Sequence, residues 1–219
     1  MDAGTSPWFF CECQDPGCGL RFPAPLPLAE GACPRCGGET SCQPALPASR
    51  LHPPSRPSWP SGVRLAVLAD NLRSAYNVGS ILRSADGAAV SHVYLCGISP
   101  TPLHPRVGKT ALGAERALPW SYHPNARRLA RELLGRGARL WVLERTGAGT
   151  ELFQVAPPGS GEVILAVGNE QAGVDPALVE LAHRCVYLPM AGVKGSLNVA
   201  SAAAVALYWM RYGPGAPRR

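Results

Sequence analysis

Residues 188–210, LPMAGVKGSLNVASAAAVALYWM, decide how this chain folds and where a ligand would sit. They begin at the end of a short strand (186–188), cross a loop carrying Gly192 and Gly195, and enter an apolar helix with Ser196 and Asn198 at its start. Ser and Asn are residues that accept from the unpaired N–H groups of a first helical turn. A helix that opens beside a glycine loop turns those groups, and the positive end of its dipole, toward whatever lies there, which suits a ligand. The plainer reading of the same letters is a glycine turn, a Ser196 cap and an alanine-rich helix packed as core.

Upstream of this stretch, apolar runs alternate with helical patterns. Strands are expected at 63–69 (VRLAVLA), 92–96 (HVYLC), 139–143 and 162–167 (EVILAV), and helices at 77–89, 125–135 and 176–182. Such alternation implies an α/β fold with a mainly parallel sheet and helices on both faces, because parallel neighbours need crossover connections. The near-continuous apolar strands agree with a sheet covered on both sides. Residues 97–120 read as a long, proline-punctuated loop carrying Arg106, Lys109, Glu115 and Arg116; loops of that length inside a compact domain are usually functional or mobile. The first strand runs into ADNLRSAYNVG rather than a GxGxxG turn. That disfavours the ordinary dinucleotide-binding plan and a small-molecule methyltransferase built on it.

Three segments, in order, resemble the SpoU/TrmH branch of the SPOUT RNA methyltransferases. Residues 70–87, DNLRSAYNVGSILRSADG, look like its first motif, 166–175, AVGNEQAGVD, like its second, and the loop and helix start within 188–198 like its third. One such motif is weak; three in sequence are specific. The resemblance implies a C-terminal trefoil knot, an exception to the usual unknotted connections. It also implies S-adenosylmethionine held by the late glycine-bearing loops, a tRNA or rRNA ribose 2′-hydroxyl as acceptor, and a homodimer whose sites combine Arg and Asn of one subunit with the cofactor of the other.

Carried over residue by residue, the resemblance puts Gly168, Leu188, Met190, Gly192 and Leu197 at the cofactor. Backbone groups of Leu188 and Leu197 would hold the adenine, and Gly168 would let the chain approach closely. Asn77, Arg83, Glu170, Ser196 and Asn198 fall at the reacting edge. Arginine stays protonated and is a poor base, so Arg83 is expected first to grip RNA phosphate and stabilise the developing oxyanion. Without the family it reads equally as a surface arginine pairing with Asp86 three residues on. Asn198 would orient the 2′-hydroxyl or the cofactor carboxylate, and Glu170 would position a loop or meet an arginine rather than move a proton. The alternative is a non-catalytic RNA-binding factor of the same fold; the presence of all five of these residues weighs against it.

Six of the eight cysteines stand in the first 42 residues: Cys11, Cys13, Cys18, Cys33, Cys36 and Cys42. CPRCGG at 33–38 is a knuckle in which CxxC spacing aims two thiolates at one ion while Gly37 and Gly38 let the backbone fold beneath. With Cys13 and Cys18 as the partner half, residues 1–42 read as a zinc ribbon. Its four ligands, Cys13, Cys18, Cys33 and Cys36, would supply through a structural zinc the folding free energy that so small a segment lacks. Cys11 stands close enough to replace Cys13, Cys42 lies just beyond, and a set of free or disulfide-linked thiols is the metal-free alternative. Trp8, Phe9, Phe10 and Arg21 suit either stacking on RNA or a miniature core of the ribbon's own. Residues 43–62 are dense in proline and read as an extended linker, leaving 63–212 as the methyltransferase domain and 213–219, GPGAPRR, as a disordered tail.

A net charge of +6 over 219 residues permits a polyanionic partner without requiring one. Lysine occurs only at Lys109 and Lys194, so the positive charge is almost all arginine; genome bias and bidentate phosphate contacts explain that equally. The N-terminus MDAGTSPWFFCEC lacks a basic stretch followed by a long apolar run, and the apolar stretch at 199–210 is too short to span a bilayer. The expectation is a soluble, cytoplasmic protein with no membrane partner, a setting in which clustered cysteines more often hold metal than form disulfides.

Overall fold

The computed structural model describes residues 8–25, 31–45 and 62–216. The chain divides into two units, Met1–Pro54 and Ser55–Arg219. Most of the expected linker (46–61) and the last residues of the expected tail (217–219) lie outside the described residues.

In the first unit, β1 (Trp8–Cys13), β2 (Arg21–Pro25) and β3 (Thr40–Pro44) form an antiparallel sheet in the order β2-β1-β3. Gln43 and Pro44, expected to begin the linker, instead pair with Phe10 and Phe9 of β1. Alternation along β1 sorts the aromatics. Phe9 packs with Phe22 around Cys11 and Ala24, whereas Trp8 and Phe10 are exposed. Cys11 and Cys42 are register partners on β1 and β3 and are joined as a disulfide, which removes both from the set of alternative metal ligands.

The second unit is built on β4 (Val63–Asp70), β5 (His92–Cys96), β6 (Trp120–His123), β7 (Arg139–Leu143), β8 (Thr150–Glu151), β9 (Gly161–Val167) and β10 (Arg184–Tyr187). They form a seven-stranded sheet in the order β6-β5-β4-β9-β7-β10-β8, every neighbouring pair parallel. The helices are α1 (Ala75–Gly87), α2 (Pro105–Ala111), α3 (Ala114–Ala117), α4 (Ala126–Gly135), α5 (Pro176–Leu181) and α6 (Val199–Tyr212). The period-2 pleat divides the apolar strands between two cores. Leu65, Val67 and Ala69 of β4 meet α1, α2 and α6 on one face, while Ala66 and Leu68 meet α4 and α5 on the other.

The expected strands and helices upstream of residue 184 are present with ends shifted by at most two residues, and at α1 the shift has a local cause. Ser74 is extended and accepts from the Asn77 N–H, so α1 begins at Ala75 and Asn77 falls in its first turn. The larger difference is at 97–120, which is not a loop. His104 Nδ1 accepts from the Arg106 N–H ahead of Pro105, starting α2; Leu112 (φ 51°) and Gly113 (φ 99°) break it from α3; and Trp120 begins β6. Thr110 Oγ1 donates to Tyr76 O at 2.9 Å and ties α2 to α1.

The C-terminal segment enters the middle of the structure. β10 lies between β7 and β8, with Val186 in register with Leu143 on one side and Thr150 on the other. α6 then packs on α1, and Arg211, 2% exposed, donates to Ala88 O (2.8 Å), Ala89 O (3.1 Å) and Val63 O (3.3 Å). The end of α1 and the start of β4 are thereby fastened to the last helix. Residues 213–216 of the expected tail turn back, with Ala216 N donating to Gly213 O at 2.9 Å and the Ala216 side chain buried. Among the described residues no helix is long and apolar enough to cross a membrane.

Candidate functional site

The carboxyl ends of β9, β7 and β10 open into a cleft of about 560 Å³, a size that suits a small-molecule ligand. Open parallel sheets characteristically bind ligands outside the carboxyl ends of their strands. Leu143, Glu144 and Arg145 contribute from the end of β7, the turn after β9 contributes Gly168 to Glu170, and the loop after β10 contributes Leu188, Met190 and Ser196 to Asn198.

The turn after β9 is closed on itself. Asn169 and Gly173 exchange backbone hydrogen bonds at 2.9 Å, and Asn169 Oδ1 accepts from Gln171 N and Ala172 N. A Cβ on Gly168 would come within 2.3 Å of Gly173 O, so glycine is needed there for contact between two backbones. Asn169 Nδ2 donates to Asn71 O at 2.7 Å and sets the turn against the start of the first motif.

Glu170 therefore projects at the opening of α1. Its carboxylate accepts from Arg73 N (2.8 Å), Ser74 N (3.1 Å) and Asn77 Nδ2 (2.8 Å), an anion at the positive end of a helix. Because a carboxylate only accepts, Asn77 must turn its amide toward Glu170. Its Oδ1 is left to accept from Asn198 Nδ2 at 3.0 Å. Asn198 in turn caps α6, its Oδ1 accepting from Ala200 N and Ser201 N. Glu170, Asn77 and Asn198, one from each of the three segments, form one hydrogen-bonded chain at the cleft edge. Burial pushes the Glu170 carboxyl up, but the Arg73 N–H, the Asn77 amide and the Ser74 N–H outweigh it and hold the group below the ordinary carboxylate range.

Of the residues named from the sequence, Gly168, Glu170, Leu188, Met190, Ser196, Leu197 and Asn198 line the cleft, and Asn77 joins through its hydrogen bonds. Gly192 is exposed in the same loop but outside the lining. Ser196 does not cap α6, since Asn198 takes that position. Arg83 is exposed on α1, six residues beyond Asn77, which is about 9 Å of rise and about two-thirds of a turn further round. A single chain does not bring it to the cleft lining. His183 flanks α5 and serves β7, its Nδ1 accepting from Leu140 N at 3.2 Å. Glu144, Arg145 and Tyr187, which belong to none of the three motifs, also line the cleft. The available signal was their place at the carboxyl ends of neighbouring parallel strands.

In the first unit the sulfurs of Cys13, Cys18, Cys33 and Cys36 all lie within 4.8 Å of one another. Cys13 and Cys36 are 3.4 Å apart, and Cys18 and Cys33 3.8 Å. Four thiolates on a tetrahedral zinc, with Zn–S of about 2.3 Å, stand about 3.8 Å from each other. The donor set and its spacing fit that ion. Each half has a glycine in the left-handed region directly after its second cysteine, Gly19 (φ 54°) and Gly37 (φ 75°), where the chain must fold back under the sulfurs.

Comparison with known proteins bears on the second unit. Residues 64–208 match the model of the SpoU rRNA Methylase family. The chain belongs to that family. Over 152 residues this SpoU chain is 33% identical to the Bacillus subtilis 23S rRNA (guanosine(2553)-2'-O)-methyltransferase RlmP, covering 68% of this chain and 58% of RlmP. Over 148 residues it is 34% identical to the Pseudomonas syringae 23S rRNA (guanosine-2'-O-)-methyltransferase RlmB, covering 67% and 58%. The chain thus spans less than two thirds of the length of these relatives. The crystal structure of the AdoMet-bound rRNA methyltransferase from Sinorhizobium meliloti superposes with a TM-score of 0.63 at 28% identity, covering 68% of this chain and 56% of that one. The AdoMet complex of the SpoU methyltransferase AviRb from Streptomyces viridochromogenes gives 0.60 at 28% identity, covering 78% and 64%.

Proposed function

We propose that this protein is an S-adenosylmethionine-dependent methyltransferase acting on a ribose 2′-hydroxyl of RNA. The observation that carries the reading is the Glu170–Asn77–Asn198 chain, which gathers the three family segments at one edge of the cleft. Family membership and the AdoMet-bound relatives support the choice of donor. The cleft takes the donor, with backbone groups of Leu188 and Leu197 at the adenine and Met190 against it. S-adenosylmethionine, when bound, would supply the methyl carbon: the O–C bond to the ribose 2′-oxygen would form as the C–S bond breaks, S-adenosylhomocysteine would leave, and the hydroxyl proton would pass to water. The protein's contribution is chiefly to hold oxygen and methyl in line. Asn198 and Ser196 orient the acceptor, and Glu170 acts as a positioning residue that fixes Asn77.

Because Arg83 stands outside the cleft of its own chain, the reading requires a homodimer in which the Arg83 guanidinium of a second copy meets the acceptor. There it grips phosphate and steadies the oxyanion. The place of β10 between β7 and β8, strands that follow one another in the chain, supports a trefoil knot at the C-terminal end. The Cys13, Cys18, Cys33, Cys36 cluster supports a structural zinc in an N-terminal ribbon. The substrate is ribosomal or transfer RNA; the 23S rRNA relatives favour ribosomal RNA, and a cytoplasmic setting goes with that reading.

The test is transfer of labelled methyl from S-adenosylmethionine to total RNA, followed by mapping of ribose methylation. Wild-type protein is expected to label a ribose 2′-oxygen. Arg83→Ala is expected to lose about a hundredfold or more of the rate while still binding the donor. RNA binding without transfer by wild-type protein would point instead to a non-catalytic factor.

A further inference from the structure

Two carboxylates line the cleft, and they are in different situations. Glu170 is engaged by three donors of α1 and its cap. Glu144, at the end of β7, is fixed by the backbone alone. Its N–H donates to Val186 O of β10 at 2.9 Å, its Oε1 accepts from Arg145 N at 2.9 Å, and its Oε2 accepts from Val174 N at 3.2 Å. Gly173 (φ 76°) makes room for it, since a Cβ there would stand 2.7 Å from Oε2. Each carboxylate oxygen has taken one N–H and retains a second acceptor position. The group is held in place with acceptor capacity to spare, on the wall of the cleft.

The strand order sets where Glu144 stands along the cleft. Along the carboxyl edge, β4 feeds α1 and Asn77, β9 leads to Glu170, β7 ends at Glu144, and β10 ends beside Leu188. If the adenine sits at β10 and the reacting end at β4 and β9, the middle of the donor lies over β7. The middle of S-adenosylmethionine is its ribose. A carboxylate with two free acceptor positions matches a vicinal diol, the pairing by which an acidic side chain reads ribose in dinucleotide folds. The Arg145 guanidinium stands 5.0 Å over the Tyr187 ring on the same wall, a cation that makes the place less suited to a ligand ammonium than to a neutral diol.

We infer that Glu144 is the donor-specificity residue of this cleft, accepting hydrogen bonds from both hydroxyls of the cofactor ribose. This rests on the reading that the cleft holds S-adenosylmethionine. The test is calorimetric titration of the full-length protein with S-adenosylmethionine, S-adenosylhomocysteine, 5′-methylthioadenosine and 5′-methylthio-2′,3′-dideoxyadenosine. On wild-type protein, losing the diol should weaken the methylthio nucleoside about tenfold or more. Glu144→Gln should weaken the three diol-bearing ligands by a similar factor and leave the dideoxy compound unchanged. If Glu144→Gln weakens the two amino-acid-bearing ligands but not 5′-methylthioadenosine, Glu144 meets the ammonium and the inference fails. It fails also if the diol makes no difference on wild-type protein, a measurement that needs no variant. If wild-type protein binds none of the four, the donor site itself is wrong, a result distinct from failure of Glu144 alone.

Discussion

At the level of single residues, the cleft edge depends on Glu170 being an anion. Its folded carboxyl titrates below the ordinary value of about 4.5, so the stabilisation it gives is fully present above that value and is lost as pH falls through the folded value. Glu170→Gln keeps an acceptor but sets an NH₂ against the donors of α1; the group is exposed and screened by solvent, so at neutral pH the change should cost about 0.5–1.5 kcal/mol. Urea unfolding followed at neutral pH and near pH 4 checks this: the wild-type margin over Glu170→Gln should shrink toward the acid side, and a constant margin would contradict the clamp. Asn77 and Asn198 could be singled out from the sequence because their motifs are specific. Their mutual hydrogen bond could not, since 121 positions separate them in the chain. Arg83 marks the opposite limit: its motif is plain in the sequence, yet the fold of one chain leaves it on an outer face of α1.

Among the elements, α6 is held by more than its alanine face. Arg211→Met removes three donations to the carbonyls of Ala88, Ala89 and Val63 from a site 2% exposed, and should lower the unfolding free energy by about 2–4 kcal/mol with an unchanged denaturant slope. In the first unit the four-cysteine cluster and the Cys11–Cys42 bridge close overlapping loops. A chelator should therefore abolish the near-ultraviolet signal of Trp8, whereas gentle reduction of Cys11–Cys42 with zinc retained should preserve it. The long strands and α4 were readable because their apolar periods run for whole elements. α2, α3 and β6 were not, because seven, four and four residues are too few to establish a period. The evidence for α2 was chemical, in Pro105 behind His104, and for its end in Gly113.

Over the whole molecule, charge is unevenly divided. The unit Met1–Pro54 carries 3 Lys and Arg against 5 Asp and Glu, and Ser55–Arg219 carries 18 against 10. Phosphate attraction thus belongs to the second unit, and the first has exposed Trp8 and Phe10 to offer. Deleting residues 1–50 should weaken RNA binding much more than donor binding, while leaving the slope of log affinity against log salt unchanged. A shallower slope after deletion would mean the first unit itself neutralises phosphates. The alternation of strands and helices made the parallel sheet predictable, but no local pattern announces that the strand seventh in chain order pairs between the fourth and fifth of its sheet. Only the pairing of Val186 with both Leu143 and Thr150 reveals it. On a ribosome, β7 and β8 are made before β10, and the place between them is filled only after residues 184–187 have emerged. Long-range parallel pairing is slow, so insertion of β10 is expected to limit the rate of folding, and the cleft wall that continues directly from β10 forms only with it.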